Sequence, residues 1–427
     1  MSKSDVVIIG NGVAGLMAAL VSADEGKKVT LLSYGAGTFP LNSGVIDILG
    51  YDEQGKAVNS PIAGIGQVPD SHPYKKIGMV AIEDAIKYFK KTVADEGFAY
   101  TGSLKEQQWL ITGIGTLKPT CLLPESLQAS RCFGASEIVI VGVKGLKDFY
   151  VDMVKENLAK ELGADKKYTT VTVDTYITGR DLTTRDVAKW VESDKGYGEF
   201  LAQIKGQAGA GKAVIVPQIL GTKGDYVVYN KLSKDLGCTV VEPTGMPPSV
   251  NGIRLRDVLL SALKKKGIRV VENAKAEKAI VKGDKVTAIK AGGEVRTQTY
   301  EADKFILATG GFYSGGITMR DFGEYKEMVF GLPVEGDCVE ERWANKQLFS
   351  DKKQAFAMAG VRVDDSLRAV DESGNVVLKN VYVVGRNLSG YDFCFEHSGN
   401  GVALTSAYKA AKAEWKGGLY YGVRRKS

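Results

Sequence analysis

The glycines near the start of the chain have the spacing of a phosphate-binding turn. Gly10, Gly12 and Gly15 fit the pattern G-x-G-x-x-G, with the small residue Ala14 before the third glycine. In such a turn the first glycine allows a tight bend, the second lets the backbone approach a phosphate, and the third lets a helix pack closely on a strand. The free amides at the start of that helix attract the phosphate. The spacing predicts a dinucleotide or flavin site, and a plain glycine-rich turn is the alternative.

The residue at position 33 bears on which nucleotide would bind. About 20 residues beyond the glycine turn, at the end of the second strand, the pattern usually has an acid that holds the adenosine ribose. This chain has Ser33 and Tyr34 there. The Ser33 hydroxyl could accept or donate one hydrogen bond, but it cannot bind both ribose hydroxyls as a carboxylate does. Ser33, which we assign to the cofactor site, therefore favours FMN, with FAD as the alternative.

Two later segments have the form of a buried strand that ends in glycine. Residues 305–311 include Thr309 and Gly310, and residues 380–386 end in Gly385 and Arg386. Both resemble the strand ends that border the flavin in flavoproteins with two dinucleotide-binding domains. Ordinary buried strands with glycine stops are the alternative for either segment alone. Together with the glycine turn they favour a flavoprotein, although Arg386 stands where many such proteins carry an acid.

A third glycine-rich stretch, Gly399, Asn400 and Gly401, comes directly before an alanine-rich helix. In the flavoprotein superfamily the N-terminus of this helix points at the flavin pyrimidine. Its partial positive charge would stabilise the anionic reduced ring. We therefore assign these three residues to the cofactor site as well.

Candidate catalytic side chains are few. The chain has two histidines, His72 and His397. His397 lies in the predicted flavin-facing turn and is the candidate base, with a structural hydrogen-bonding role as the alternative. Arg254, Arg256 and Arg386 are candidate anion clamps, because a guanidinium can bind phosphate through two hydrogen bonds. A surface or structural role is the alternative for each arginine, and we predict no metal site.

The composition argues against several classes of protein. The formal charge of +6 is spread without a block of like charge, so we expect no nucleic-acid partner. The five cysteines are widely separated and form no CxxC pair, so no iron–sulfur motif is visible and a reducing, cytosolic setting is expected. No apolar run reaches the roughly 18 residues needed to cross a bilayer, and no signal-peptide core follows Met1. Any membrane association should therefore be peripheral or pass through another subunit.

The predicted elements bring these turns together. A strand at 6–9, a helix at 16–20 and a strand at 29–32 predict a βαβ unit, whose crossover makes the two strands parallel. Further strands are predicted at 137–141, 213–217, 268–271, 285–290, 294–300, 304–309 and 381–384. Further helices are predicted at 146–162, 254–266 and 401–416.

The predicted fold class is α/β, a Rossmann-type doubly wound flavin-binding domain with an inserted α/β domain. We place the first part of the flavin-binding domain at residues 1–60 and its completion at 251–427, with a small excursion at about 312–355. The inserted domain takes residues 61–250. Its end is marked by the successive prolines in 246–249, which cannot continue regular structure.

Stretches across nearly the whole chain resemble the B subunits of anaerobic glycerol-3-phosphate dehydrogenases. They are residues 10–15, 42–49, 141–149, 247–255, 308–316 and 385–401. The glycine turn is shared by the whole superfamily, whereas the stretches around Ser43 and Gly44, Pro-Pro-Ser-Val and Phe-Tyr-Ser-Gly-Gly are more specific. The resemblance adds Asn42, Ser43 and Gly44 to the predicted cofactor-binding residues.

The resemblance implies a soluble flavoprotein, associated with FMN, that pairs with an FAD-bearing catalytic subunit. An iron–sulfur subunit would anchor both at the inner, cytoplasmic face of the cell membrane. The implied reaction oxidises sn-glycerol 3-phosphate to dihydroxyacetone phosphate and passes electrons towards quinone. The alternatives are a stand-alone fumarate-reductase-like flavin dehydrogenase or reductase, acting on another small anionic substrate, and a non-enzymatic scaffold.

Overall fold

A computed structural model describes residues 3–293, 296–320, 323–347 and 350–414. The strands, in chain order, are β1 (Ser4–Ile9), β2 (Val29–Leu32), β3 (Tyr100–Gly102), β4 (Gln108–Ile111), β5 (Leu117–Thr120), β6 (Leu122–Pro124), β7 (Glu137–Val143), β8 (Lys167–Val173), β9 (Lys212–Ile215), β10 (Thr239–Val241), β11 (Arg269–Val271), β12 (Lys275–Lys282), β13 (Lys285–Gly292), β14 (Thr297–Leu307), β15 (Ile317–Arg320), β16 (Glu324–Glu327) and β17 (Val381–Val383).

The α-helices, in chain order, are α1 (Val13–Asp24), α2 (Pro61–Gln67), α3 (Pro73–Ile77), α4 (Met79–Asp95), α5 (Val151–Leu162), α6 (Thr184–Glu192), α7 (Asp194–Ile204), α8 (Val227–Leu236), α9 (Val250–Lys265), α10 (Glu340–Trp343), α11 (Ala355–Met358), α12 (Phe393–Glu396) and α13 (Gly399–Lys412).

The larger sheet is built around β1, whose run of valine and isoleucine is buried as expected for a strand covered on both faces. β1 lies between β2 and β14 and pairs with both in parallel. β11 extends the sheet beyond β2, and β17 pairs with the last residues of β14, again in parallel. The carboxyl ends of these five strands therefore meet at one edge, the edge at which open α/β sheets bind ligands.

The first half of β14 pairs differently from its second half. It is antiparallel to β13, which is in turn antiparallel to β12. A second sheet contains four parallel strands in the order β10, β9, β7, β8. The predicted α/β Rossmann-type class is confirmed.

Each sheet has its own hydrophobic core. The core of the second sheet draws its buried side chains from between Ile111 and Val241. Residues of α2, α3 and α4, such as Ile65, Ile77 and Phe89, belong instead to the core of the larger sheet. The predicted division at residues 60 and 250 stays a prediction, and we propose a narrower inserted unit bounded by Ile111 and Val241, the first and last residues of the second core. Within the predicted excursion, β15 and β16 form a hairpin.

Several predicted elements have different bounds in the structure. The helix predicted at 146–162 begins only at Val151, because Leu146 lies in a turn and donates its amide to the Val143 carbonyl. The strands predicted at 294–300 and 304–309 are one strand, β14, although residues 294 and 295 lie outside the described residues. The closing helix ends at Lys412, and its predicted end at residue 416 also lies outside the described residues.

Candidate functional site

The three predicted turns lie side by side at the carboxyl edge of the larger sheet. The glycine turn follows β1, the turn at Thr309 follows β14, and the turn at Gly385 follows β17. Since β14 lies between β1 and β17, neighbouring strands deliver all three turns to one place. α13 packs against α1, and the start of α13 comes shortly after the turn at Gly385 in the sequence. Sheet topology thus brings together turns that are about 300 and 375 residues apart in the sequence.

Steric contacts explain two of the three glycines in the first turn. A Cβ on Gly10 would lie 2.2 Å from the Ala308 carbonyl oxygen, and a Cβ on Gly15 would lie 1.8 Å from the Gly10 carbonyl oxygen. Both contacts are far closer than van der Waals distance, so these positions need glycine for packing. A Cβ on Gly12, in contrast, would meet nothing within 4 Å. The open space beside Gly12 is available to a ligand.

The start of α1 fits the phosphate of a nucleotide cofactor. Gly12 is the N-cap residue of α1, and no side chain caps the free amides there. The first turn of α1 also contains no acid that would repel an anion. Uncapped amides at a helix N-terminus, open space beside Gly12 and the absence of local negative charge together make a cradle for phosphate.

Ser33 is buried at the end of β2, and its hydroxyl lies 3.5 Å from the Gly35 carbonyl oxygen. Its backbone amide donates to the Val271 carbonyl at the end of β11. The residue after Val271 is Glu272, which is exposed. The usual pattern has an acid at the end of β2, where this chain has Ser33. The acid Glu272 instead follows the neighbouring strand, β11.

The turns after β14 and β17 are interlocked. Asn387, which is fully buried, can donate its side-chain amide to the Gly310 carbonyl at 2.5 Å and accept from the Thr309 amide at 3.2 Å. Gly385 donates its amide to the Ser406 hydroxyl at 2.9 Å. A Cβ on Gly385 would come within 3.2 Å of the Ala14 Cβ, so the small residue Ala14 allows this turn to approach α1. The sequence prediction missed Asn387, although it falls within a stretch that carries the family resemblance.

A pair of asparagines joins the segment after β2 to the start of α13. Asn42 donates to the Asn400 side-chain oxygen at 2.9 Å, and Asn400 donates to the Asn42 side-chain oxygen at 3.0 Å. The Asn42 oxygen also accepts the Gly44 amide at 2.7 Å. Asn251, at the start of α9, donates to the Ser43 carbonyl at 2.8 Å. The predicted residues Asn42, Ser43 and Gly44 are thus held next to Asn400, with Gly399 and Gly401 on either side of it.

His397 ends α12 in a left-handed backbone conformation, with φ of 49°. The edge of its ring meets Tyr51, with ring centres 4.7 Å apart. Burial, with a smaller contribution from the positive charge of Lys118, lowers the pKa of His397 to about 4, and the negative charge of Asp47 opposes the shift. The imidazole is therefore neutral near pH 7 and can accept a proton.

The second histidine does not extend this site. His72 is fully buried, accepts the Tyr74 amide at its Nδ1 atom, and faces Glu396 with its Nε2 atom at 2.9 Å. Lys353 donates to the other oxygen of Glu396 at 2.8 Å. Burial would raise the pKa of Glu396, but the bonds from His72 and Lys353 lower it. No local pattern in the sequence points to this network, which fixes the residue directly before His397.

The arginines predicted as anion clamps have different surroundings. Arg386 lies over the ring of Phe393, 4.0 Å from its centre, and within the described ranges it makes no ion pair with a carboxylate. Arg254 is buried, donates to both oxygens of Glu242 at 2.7 and 3.0 Å, and donates twice to the Gly221 carbonyl. The interpretation of Arg254 as a substrate clamp is therefore corrected, because its buried guanidinium makes four hydrogen bonds within the protein and is neutralised by Glu242. Arg256 lies 3.6 Å from Asp257.

Other kinds of site find no support in the part of the chain that the structure describes. No group of three or more histidine, cysteine or acidic side chains in it could hold a metal ion. No helix among the described residues is both long and apolar enough to cross a membrane. A cavity beside Tyr51 and Glu396 contains none of the predicted site residues in its lining.

The parallel sheet, the uncapped glycine turn and the two further strand-end turns define a nucleotide-binding Rossmann protein of the flavin-binding class. A sequence model described as FAD binding domain matches residues 5–402. A protein of Halobacterium salinarum, named as the probable B subunit of anaerobic glycerol-3-phosphate dehydrogenase, is 30% identical over 96% of this chain and 97% of its own length. A Vibrio cholerae protein, named as the B subunit of anaerobic glycerol-3-phosphate dehydrogenase, is 30% identical over 96% of both chains.

The chain therefore belongs to the FAD-binding-domain family and, within it, to the family named as the B subunits of anaerobic glycerol-3-phosphate dehydrogenase. It is a flavin oxidoreductase. Among solved structures, a 3-ketosteroid Δ1-dehydrogenase from Sterolibacterium denitrificans is 11% identical with a TM-score of 0.44, over 96% of this chain and 99% of that one. A flavocytochrome c3 fumarate reductase gives the same identity and TM-score over 96% of this chain and 77% of that one. At these scores the likeness says nothing about function.

Proposed function

We propose that this chain is the flavin-bearing B subunit of an anaerobic glycerol-3-phosphate dehydrogenase. In this proposal the complex oxidises sn-glycerol 3-phosphate to dihydroxyacetone phosphate and passes the electrons towards quinone. The observation that carries the proposal is the match to relatives of that name along 96% of the chain. The alternative is a stand-alone fumarate-reductase-like flavin dehydrogenase or reductase that acts on another small anionic substrate.

The cofactor would be held by the residues that the topology gathers at the sheet edge. The phosphate would lie at Gly12 and the start of α1, with Gly10, Ala14 and Gly15 providing the packing. The remaining predicted contacts are Ser33, Asn42, Ser43, Gly44, Thr309, Gly310, Gly385, Arg386, Gly399, Asn400 and Gly401. When bound, a flavin supplies two-electron redox chemistry. No side chain caps the N-terminus of α13, and the Gly401 amide is already bonded to the Asp47 carbonyl, so the amides of Gly399 and Asn400 are the ones that would meet the pyrimidine ring.

Two side chains are proposed to act on substrate. His397, whose imidazole is neutral near pH 7, is the proposed acceptor of the proton of the substrate hydroxyl when the carbon that bears the hydroxyl is oxidised. Arg386 can bind the anionic end of the substrate, since within the described residues it forms no ion pair with a carboxylate. Stacking on Phe393 fixes one face of its guanidinium and leaves the hydrogen-bonding edge free. We do not propose a catalytic role for Arg254.

We propose two partner subunits, an FAD-bearing catalytic subunit that completes the substrate site with His397 and Arg386 of this chain, and a subunit with iron–sulfur clusters that holds the complex at the cytoplasmic face of the cell membrane. The names of the relatives, which describe them as one subunit of a larger dehydrogenase, support membership of such a complex. Electrons that leave this chain need an acceptor outside it, because its five cysteines all occur as separate free thiols.

We expect the isolated chain to oxidise glycerol 3-phosphate slowly, and activity to appear when the FAD-bearing partner is added. The reason is that the cofactor cradle is complete, whereas the side chains for substrate amount to His397 and Arg386. A dye-linked assay with and without the partner measures this, with glycerol as the non-phosphorylated control. Fast turnover by the isolated chain would favour the stand-alone enzyme instead.

The released cofactor should identify the nucleotide. Ser33 at the end of β2 favours FMN, which is our prediction, because no carboxylate stands there to hold an adenosine ribose. The family description and the position of Glu272 favour FAD. Chromatography of the heat-released flavin decides between them. If intact FAD is found, Glu272→Gln should weaken its retention, whereas FMN retention should not depend on Glu272.

A further inference from the structure

Two buried polar atoms near the N-terminus of α13 have no hydrogen-bond partner among the described residues. They are the Oδ1 atom of Asp47 and the Nδ1 atom of His397. Leaving buried polar atoms unpaired costs free energy, so each such atom in a folded protein calls for an explanation. Neither atom belongs to a contact that the proposed flavin cradle requires.

The backbone brings the two residues to the same place. Asp47 accepts the Gly401 amide at its carbonyl, at 2.9 Å, and Gly50 donates its amide to the His397 carbonyl at 3.3 Å. A Cβ on Gly50 would lie 3.0 Å from the His397 Cβ, so glycine at position 50 lets this segment lie against the histidine. The charge of Asp47 is close enough to raise the pKa of both His397 and Tyr51.

The two ring nitrogens of His397 differ in their surroundings. Nδ1 is buried and has no hydrogen-bond partner among the described residues. Nε2 also makes no hydrogen bond to the described residues, but it is not fully buried. Nε2 is therefore the nitrogen that a ligand can reach. A neutral imidazole carries one proton, and the hydrogen bond made by one nitrogen decides whether the other is free to accept a proton.

We infer that Asp47 is the positioning residue for His397, through one water molecule that accepts the Nδ1 proton and donates to Asp47 Oδ1. This interaction would hold the proton on Nδ1 and leave Nε2 free to act as the base. The role of His397 as a base rests on the proposed function. Lys118 completes the arrangement, because it donates to Asp47 Oδ2 at 2.6 Å and leaves Oδ1 as the unpaired oxygen. The three residues come from the segment after β2, from β5 and from the turn before α13.

The test uses the fact that the chain has only two histidines. Nitrogen-15 NMR of the purified flavoprotein, labelled at histidine, reports which ring nitrogen carries the proton and the pKa of each ring. His72, held between the Tyr74 amide and Glu396, is an internal reference. In the unsubstituted chain we expect the His397 proton on Nδ1.

Three substitutions separate the hydrogen bond from the charge. Asp47→Leu should move the His397 proton towards Nε2, because the acceptor for Nδ1 is lost. Asp47→Asn keeps an acceptor but removes the negative charge, so the pKa of His397 should fall. Lys118→Met removes the positive charge that lowers that pKa, so the pKa should rise. Glu96→Gln, which breaks the ion pair with Lys265 at the end of α4, is the control with the same charge change as Asp47→Asn and should alter neither the protonated nitrogen nor the pKa of His397.

A His397 proton on Nε2 in the unsubstituted chain would overturn the inference. The inference would also be overturned if all three variants had the same protonated nitrogen and the same pKa of His397 as the unsubstituted chain. If Asp47→Leu does not fold, the opposite pKa shifts in Asp47→Asn and Lys118→Met still decide. No substrate is present in this NMR experiment, so its result is independent of the proposed function. If the NMR results are as expected but the chain with its partner does not oxidise glycerol 3-phosphate, the proposed function is overturned and the inference about Asp47 and His397 stands.

Discussion

Gly12→Val should release the flavin while the chain stays folded. A Cβ at this position meets no protein atom within 4 Å, so the fold has room for the side chain, but the side chain occupies the proposed phosphate position. We expect retention to weaken at least about tenfold, which corresponds to about 1.4 kcal/mol or more of binding free energy. The ratio of flavin to protein absorbance after gel filtration measures retention, and circular dichroism checks the fold.

Two other glycines provide controls for this experiment. Gly134, in an exposed turn of the inserted unit, also has open space around its Cβ position, so Gly134→Val should keep its flavin. Gly15→Val should damage the fold itself, because its Cβ would lie 1.8 Å from the Gly10 carbonyl oxygen. Full flavin occupancy in Gly12→Val would contradict the assignment of the phosphate site.

Arg254→Met should cost about 3–5 kcal/mol of the free energy of unfolding, the usual result of removing one partner of a buried ion pair. The side chain of Glu242 is 0% exposed, so its carboxylate would be left without a countercharge. Glu242 follows β10 and Arg254 lies on α9, so the pair ties the inserted unit to the helix that returns the chain to the larger sheet. Urea unfolding followed by circular dichroism measures the loss.

The double variant Arg254→Met with Glu242→Leu should recover most of this loss, because it removes both charges. Arg256→Met is the matched control on the same helix, since the ion pair of Arg256 within the described residues is a 3.6 Å contact with Asp257, and it should change stability far less. A folded Arg254→Met chain of unchanged stability that lost activity with its partner would restore Arg254 as a substrate residue.

The local features of the cofactor site could be predicted from the sequence. The glycine spacing at Gly10, Gly12 and Gly15, directly after a β-branched run, predicted β1 and α1, because each of these constraints acts within a few residues. The strand ends at Thr309 and Gly385 were recognisable for the same reason. Their adjacency followed from a general rule, since parallel strands of one sheet end at one edge.

The catalytic candidates could not be judged in this way. Arg254 looks like any other arginine on an amphipathic helix, and only its packing against Glu242 shows that the guanidinium is not free. For His397, the sequence indicated a turn near the flavin. The burial and the nearby charges of Lys118 and Asp47, which set its protonation state, come from segments about 280 and 350 residues away.

The sequence by itself therefore determined the class of the fold, the glycine turn and the flavin-binding family of this protein, because short-range backbone geometry leaves its pattern in neighbouring residues. The tertiary structure alone decided that Asn42 pairs with Asn400, that Glu396 bonds His72 and Lys353, and that Asp47 lies beside His397. A hydrogen bond or charge interaction depends on distance in space, and residues that are 43 to 358 positions apart along the chain leave no local pattern by which to predict it.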